Sequence, residues 1–160
     1  MYLLLKTVHV LSVVLFLGNI ITGIFWVAHA NRTGQPALQA HAMAGVIRSD
    51  AYFTLPAVIA IVVTGVALAM SAGLPIFGTK WIAASLIAFG ISGVLFGTVL
   101  APLQRRLVEA ARAADGDGAW PTPEFKHMTR IWEAVGIVAI LLPIAALALM
   151  VYKPAALLTG

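Results

Sequence analysis

Residues 2–30 read YLLLKTVHVLSVVLFLGNIITGIFWVAHA, a long apolar run with His9 set inside it. A helix needs about 20 mostly apolar residues to cross a hydrocarbon core ~30 Å thick, because it rises ~1.5 Å per residue. The run exceeds that length and is too long for the core of a signal peptide. It therefore predicts a membrane-spanning helix that stays in the protein, and the rest of the chain is expected to surround it.

The composition of the chain also places it in a membrane. Of its 160 residues, 61% are hydrophobic and 10% are charged, whereas about a quarter of the residues of a soluble domain are charged. The net charge of +4 does not indicate nucleic acid as a partner, because most of the few basic residues flank apolar runs. The lack of cysteine in the sequence excludes disulfides, thiolate metal sites and iron–sulfur ligation.

Four apolar runs of near-spanning length predict four transmembrane helices. Backbone groups in lipid must satisfy their own hydrogen bonds, so each run is expected to be helical. The prediction is an all-α fold, an integral membrane four-helix bundle in which residues 1–160 form one domain. Pro56 and Pro143 predict kinks in helices 2 and 4. The third helix is expected to extend past the membrane, and the expected bounds are about residues 2–30, 52–72, 80–114 and 124–152.

The positive charges predict the orientation of the chain. Seven lysines and arginines lie in the connections at residues 31–51 and 101–130, and three lie on the other side. Because positive loops stay in the cytoplasm, we expect both connections there and both termini on the outer side. The expected location is the bacterial inner membrane, crossed several times. Within residues 31–51, Pro36 to Ala40 are an expected start of a short interfacial helix. Within residues 101–130, Asp115–Gly118 is expected to form an exposed loop, and it lacks the remaining ligands of a calcium-binding loop.

His9 is the first candidate for chemistry. An ionisable residue within a span is costly and usually faces protein or a cavity. At ~100° per residue, one face of helix 1 carries His9, Ser12, Phe16, Asn19 and Gly23, and we expect this stripe to face the bundle. Two interpretations stay open for His9. It is an axial ligand of haem iron through a neutral imidazole nitrogen, or it hydrogen-bonds a neighbouring helix or stays hydrated at the interface.

Asn19 and Lys80 are further candidates. Asn19 lies near mid-membrane and is expected to hydrogen-bond to helix 2 or 3, with contact to a cofactor or lipid as the alternative. Lys80 opens helix 3 at a depth similar to that of His9. It is interpreted as an interfacial lysine beside Trp81. A haem propionate, the haem iron or a lipid phosphate are its alternative partners.

The remaining histidines lie toward the predicted cytoplasmic side. His29, His41 and His127 are too far from His9 to complete a two-histidine haem site with it. Their spacing matches no standard metal motif, so a second haem or metal site formed by them is the less favoured interpretation.

Small residues indicate where membrane helices approach closely. Gly93 and Gly97 form a GxxxG pattern in helix 3, and Gly18 and Thr22 form a similar pair in helix 1. Packing within the chain is the favoured interpretation. The alternative is a homodimer or a larger membrane complex in the lipid bilayer.

Three sequence features carry a resemblance to a known family. They are the opening Lys6-Thr7-Val8-His9, Trp81, and the segment Pro102-Leu103-Gln104-Arg105-Arg106. The chain resembles the uncharacterised bacterial four-span predicted integral membrane proteins (DUF2269-like), which share a Lys-x-x-His opening, a tryptophan opening helix 3 and a Pro-Leu-Gln-Arg-Arg exit. The resemblance covers essentially the whole chain and implies the fold without an established activity.

More distantly, the opening is similar to that of HemJ-type protoporphyrinogen oxidases and of the membrane part of CopD-type copper-resistance proteins. The histidine of the HemJ opening is a haem b ligand, which implies that role for His9. A second key residue of that family is a lysine four residues after a helix-3 tryptophan. Counting from Trp81 gives Ser85, whereas Lys80 precedes the tryptophan. With the stripe on helix 1, the candidate cofactor-binding residues are His9, Ser12, Phe16, Asn19, Lys80 and Ser85.

Two functions from different classes follow. The first is a haem b-binding membrane oxidoreductase with His9 as iron ligand, which passes electrons between quinone or porphyrin and an acceptor. The second is a non-catalytic membrane subunit or assembly protein without a cofactor. The spans contain few charged or polar residues, which disfavours a transporter.

Overall fold

The computed structural model describes residues 1–114 and 119–153, and no strand occurs in these two ranges. Two π-helical turns interrupt the helices. We call Asp50–Thr54 the first π turn and Phe96–Leu100 the second π turn. The α-helices are α1 Tyr2–Thr33, α2 Pro36–Ser49, α3 Leu55–Ser71, α4 Lys80–Leu95, α5 Ala101–Arg112 and α6 Pro123–Tyr152.

Four helical segments in the described ranges are long and apolar enough to cross a membrane. Only 11% to 28% of the most apolar stretch of each is buried inside the chain, so most of this apolar surface is left for lipid. The predicted all-α, four-span fold is confirmed, and the orientation of the termini stays a prediction. The segments are Tyr2–Thr33, Pro36–Ser71, Lys80–Arg112 and Pro123–Tyr152.

The helices pack mainly in antiparallel pairs. In one half of the bundle α1 lies against α3, and α4 lies against α6. In the other half α2 lies against α5, and these two also contact α1 and α6. The α1–α3 pair meets the α4–α6 pair at Phe16 of α1 and Phe89 of α4, whose ring centroids are 5.5 Å apart. The largest core lies in the α2–α5 half and includes Val27, Met43, Leu107, Phe125 and Trp132.

Most of the predicted connection at residues 31–51 is helix, which begins at the expected residue, Pro36, but continues without a loop into the second span. Helix 2 begins at Pro36, and only the turn at Gly34 and Gln35 separates it from α1. Gly34 has a φ of 66°, which glycine adopts without strain. Pro36 stands at the first helical position, where its missing N–H costs no hydrogen bond. The polar residues that suggest a loop lie mostly on one face of an amphipathic helix, whose buried positions are Gln39, Ala40, Met43 and Val46.

The other helices of the structure begin and end within a few residues of the expected bounds. The third predicted helix corresponds to α4, the second π turn and α5, and it continues to Arg112, as its expected extension requires. The fourth predicted helix corresponds to α6, which runs from Pro123 to Tyr152. The hydroxyl of Thr122 caps helix 4 by accepting a hydrogen bond from the N–H of Phe125 at 3.1 Å. The expected loop at Asp115–Gly118 lies outside the described residues.

A proline stands two positions after the last residue of each π turn. The first π turn precedes Pro56 and the second precedes Pro102. A proline has no N–H and its ring clashes with the carbonyl one turn earlier, and a wider turn removes that conflict. The N–H of Leu55 donates to the carbonyl of Asp50 and the next residue is Pro56. In an α turn the carbonyl of Ala51 would accept from the N–H of Leu55, and in a π turn it would accept from residue 56. The first N–H is already used and Pro56 has none, so the Ala51 carbonyl has neither donor.

Gly93 of α4 and Gly97 of the second π turn face outward. A Cβ added to either glycine would meet no atom within 4 Å apart from the helix's own backbone. The expectation that this pair packs against another helix of the chain is therefore wrong for the described residues. The surface at these glycines is open to lipid or to a helix of another molecule.

Candidate functional site

His9 of α1 lies against α3 and makes a hydrogen bond to it. Its Nδ1 atom is 2.9 Å from the Oγ1 atom of Thr64, and the Thr64 hydroxyl donates to the carbonyl of Ala60. Because that hydroxyl proton is already used, the Thr64 oxygen accepts and Nδ1 carries the proton. With the tautomer assigned in this way, the lone pair lies on Nε2.

Gly65 makes room for the histidine ring. A Cβ at this position would lie 3.2 Å from Cε1 and 3.7 Å from Nδ1 of His9. The first distance is tighter than ordinary van der Waals contact. The Thr64-Gly65 pair on α3 therefore supplies both the hydrogen bond and the space that the ring requires.

The predicted stripe on α1 faces the bundle. Ser12 and Phe16 are buried, and Asn19 and Gly23 are half-buried. The hydroxyl of Ser12 donates to the carbonyl of Val8 at 2.8 Å. Phe16 packs with Ala57 and Ile61 of α3 and with Phe89 of α4.

Ser85 and Lys80 stand on α4, and the Ser85 hydroxyl is directed at α6. It lies 2.8 Å from the carbonyl oxygen of Trp81 and 3.3 Å from that of Ala146. These contacts occupy the hydroxyl and join α4 to α6. Lys80 is the exposed first residue of α4. The part of either residue in cofactor binding stays a prediction.

Asn19 confirms the predicted hydrogen bond to helix 2. Its Nδ2 atom is 2.9 Å from the hydroxyl of Thr54 and 3.5 Å from Oδ1 of Asp50. Both partners belong to the first π turn. The amide therefore fastens the middle of α1 to the irregular part of helix 2.

Asp50 is the centre of a polar network that the sequence interpretation did not single out. The Thr54 hydroxyl donates to its Oδ1 atom at 2.9 Å, and the Gln104 amide of α5 donates to its Oδ2 atom at 3.3 Å. With Asn19, residues of α1, the first π turn and α5 meet at one carboxylate. We call Asn19, Asp50, Thr54 and Gln104 the Asp50 network. A visible signal was the acidic residue placed shortly before Pro56 in an apolar run.

The remaining histidines do not assemble a second site. Within residues 1–114 and 119–153, no group of three or more His, Cys, Asp or Glu side chains is placed to hold a metal ion. His29, His41 and His127 are all exposed. His29 stacks on Phe25, with ring centroids 6.4 Å apart.

Four helical segments long and apolar enough to cross a membrane define the chain as a multi-pass integral membrane protein. The family model described as "Predicted integral membrane protein (DUF2269)" matches residues 3–154. The chain belongs to this family. No curated protein and no solved structure matches it, so the distant likeness to HemJ-type and CopD-type proteins rests on the opening motif alone.

Proposed function

We propose that the protein is a haem b-binding membrane redox protein with His9 as an axial ligand. The observation that supports this is the hydrogen bond from Nδ1 of His9 to Thr64. Histidines that bind metal typically donate their other ring N–H to a fixed acceptor, which sets the tautomer and the ring orientation. The proposed location is the bacterial inner membrane, with both termini outside.

The residues around His9 fit one axial ligand. Thr64 holds the proton on Nδ1, so that Nε2 presents its lone pair as a neutral imidazole must for iron. Gly65 keeps the ring in place by leaving it room, and Phe16 closes the bundle on the side toward mid-membrane. A bound haem would supply reversible one-electron chemistry.

The test is a visible spectrum of the purified protein. We would express it with haem supply ensured, purify it in mild detergent, and record reduced-minus-oxidised difference spectra. A sharp band of b-type haem is expected. A colourless, folded preparation that takes up no added haem contradicts the proposal.

Gly65 provides a prediction about the same site. Gly65→Val would press a branched side chain against the His9 ring and move it off Thr64. Because loss of an outer-shell partner typically weakens metal binding by 10–100-fold, we expect haem affinity to fall by about 10-fold or more, measured by haem titration. Gly18→Val is the matched control, since a Cβ at Gly18 meets no atom within 4 Å. Equal affinities in the two variants would contradict the prediction.

A second function is favoured by the outward-facing glycines Gly93 and Gly97. Gly93 and Gly97 leave a shallow surface of the kind through which membrane helices associate. This observation supports a non-catalytic subunit or assembly protein that binds a second membrane helix, in a homodimer or a larger complex. The colourless outcome of the spectral test would leave this function as the better supported one.

A further inference from the structure

Asp50 differs from the other acidic side chains that the structure describes. Glu109, Glu124 and Glu133 are exposed, whereas Asp50 is half-buried where α1, the first π turn and α5 meet. Its position in the fold therefore needs an explanation that a surface carboxylate does not.

Asp50 is held in the helical bundle by its partner Asn19 on α1. Arg48, Arg105 and Arg106 are exposed within two residues of Asp50 or of Gln104, so the carboxylate lies beside a charged part of the bundle. A partly buried ionisable residue in a spanning helix is a functional-site candidate by default.

The carboxylate of Asp50 is held by neutral donors alone. The Asn19 amide, the Thr54 hydroxyl and the Gln104 amide donate to it, and no ion pair involving Asp50 forms within the described ranges. The helix α3 has no charged residue. On the other elements around the network, Arg48, Arg105, Arg106 and Glu109 are exposed, and Lys6, His9, His29 and Arg32 lie toward the ends of α1.

We infer that Asp50 is a proton-exchange site within the helical bundle. An uncompensated carboxylate is disfavoured in an apolar surrounding, while three hydrogen bonds favour it. One carboxylate oxygen takes up a proton and becomes the neutral acid, and it later returns the same proton. No other bond changes and no electron moves.

The network has acceptors for the added proton. When Asp50 is neutral, its O–H needs an acceptor. The Thr54 oxygen and the amide oxygens of Asn19 and Gln104 belong to the same junction. π turns in helices are frequent at functional sites, and here the turn supplies the carboxylate.

Asp50 is only half-buried, so its side chain keeps an exposed part through which a proton can be exchanged. A separate groove of about 820 Å³ lies between α2 and α5, and none of the residues of the Asp50 network lines it.

Labelling with dicyclohexylcarbodiimide tests this inference. This apolar reagent enters membranes and adds covalently to protonated carboxyl groups, and the adduct is located by peptide mass spectrometry. In full-length protein in detergent micelles, we expect modification at Asp50. Its extent should fall by about tenfold for each pH unit once the carboxylate form dominates.

Two controls keep the test independent of folding defects and of the haem proposal. Asp50→Asn keeps the size and the acceptor oxygen of the side chain, so it should fold and lose the adduct at this position. Glu133, which is exposed, is the internal comparison and should be modified far less. No adduct at Asp50 at any pH, or the same extent at all pH values, would overturn the inference. Protection by sodium at constant pH would assign the site to a metal cation and also overturn it. None of these readouts depends on haem.

Discussion

His9→Ala is expected to abolish the b-type haem spectrum of the purified protein. The substitution removes the imidazole whose Nε2 atom is the proposed iron ligand, and no other histidine lies in this half of α1. The fold should persist, because Thr64 still donates to the carbonyl of Ala60 in its own helix and His9 is only half-buried. The measurement is haem content per protein by difference spectroscopy, with helix content checked by circular dichroism.

His29→Ala is the matched control for that experiment. It removes the same side chain from the other end of the same helix, where the ring is exposed and stacks on Phe25. Its haem content should equal that of the unchanged protein. If His9→Ala keeps the full band, His9 is not the ligand, and if both variants lose it, the loss does not report on His9.

The number and type of the helices could be predicted from the sequence, because lipid leaves a long apolar run no other structure. The stripe on α1 was predictable for a related reason. Residues on one face of a helix repeat every three to four positions, and Ser12 and Phe16 are buried as that rule requires.

The continuation of the helix that begins at Pro36 into the second span could not be predicted in the same way. Residues 36–49 are less apolar than a membrane span, and Gly34 and Pro36 suggest a break. The helix there is stabilised by packing of one face on α5 and α1, which local sequence does not reveal. The contacts of Asp50 escaped prediction for the same reason, since Gln104 lies far away along the chain and reaches Asp50 only through that packing.

Ser85 shows where a motif alone misleads about a side chain's surroundings. The count from Trp81 assigns it a place in a cofactor site. In the structure its hydroxyl joins α4 to α6 through two backbone carbonyls. A polar side chain in a span must find a partner, and the nearest backbone can satisfy it as well as a ligand.

Leu107→Ala is expected to lower the free energy of unfolding by about 2 kcal/mol, the lower end of the range for buried leucines. Leu107 is 2% exposed and packs in the core between α2, α5 and α6. Unfolded membrane helices still contact detergent, so the transfer of apolar surface contributes little and the cavity left by the missing atoms contributes most. The measurement is equilibrium unfolding in mixed micelles, followed by the fluorescence of tryptophans such as Trp132 in the same core.

Leu141→Ala on α6 separates the cavity effect from a general loss of apolar surface. Leu141 is 55% exposed and contacts lipid or detergent in both the folded and the unfolded state. Its substitution leaves no enclosed cavity, so the free energy of unfolding should change by no more than about 0.5 kcal/mol. Equal losses in the two variants would mean that the α2–α5 half of the bundle is not packed as a core. The stability of the junction at Asp50, which Gln104 joins to the same helix as Leu107, would then need another source.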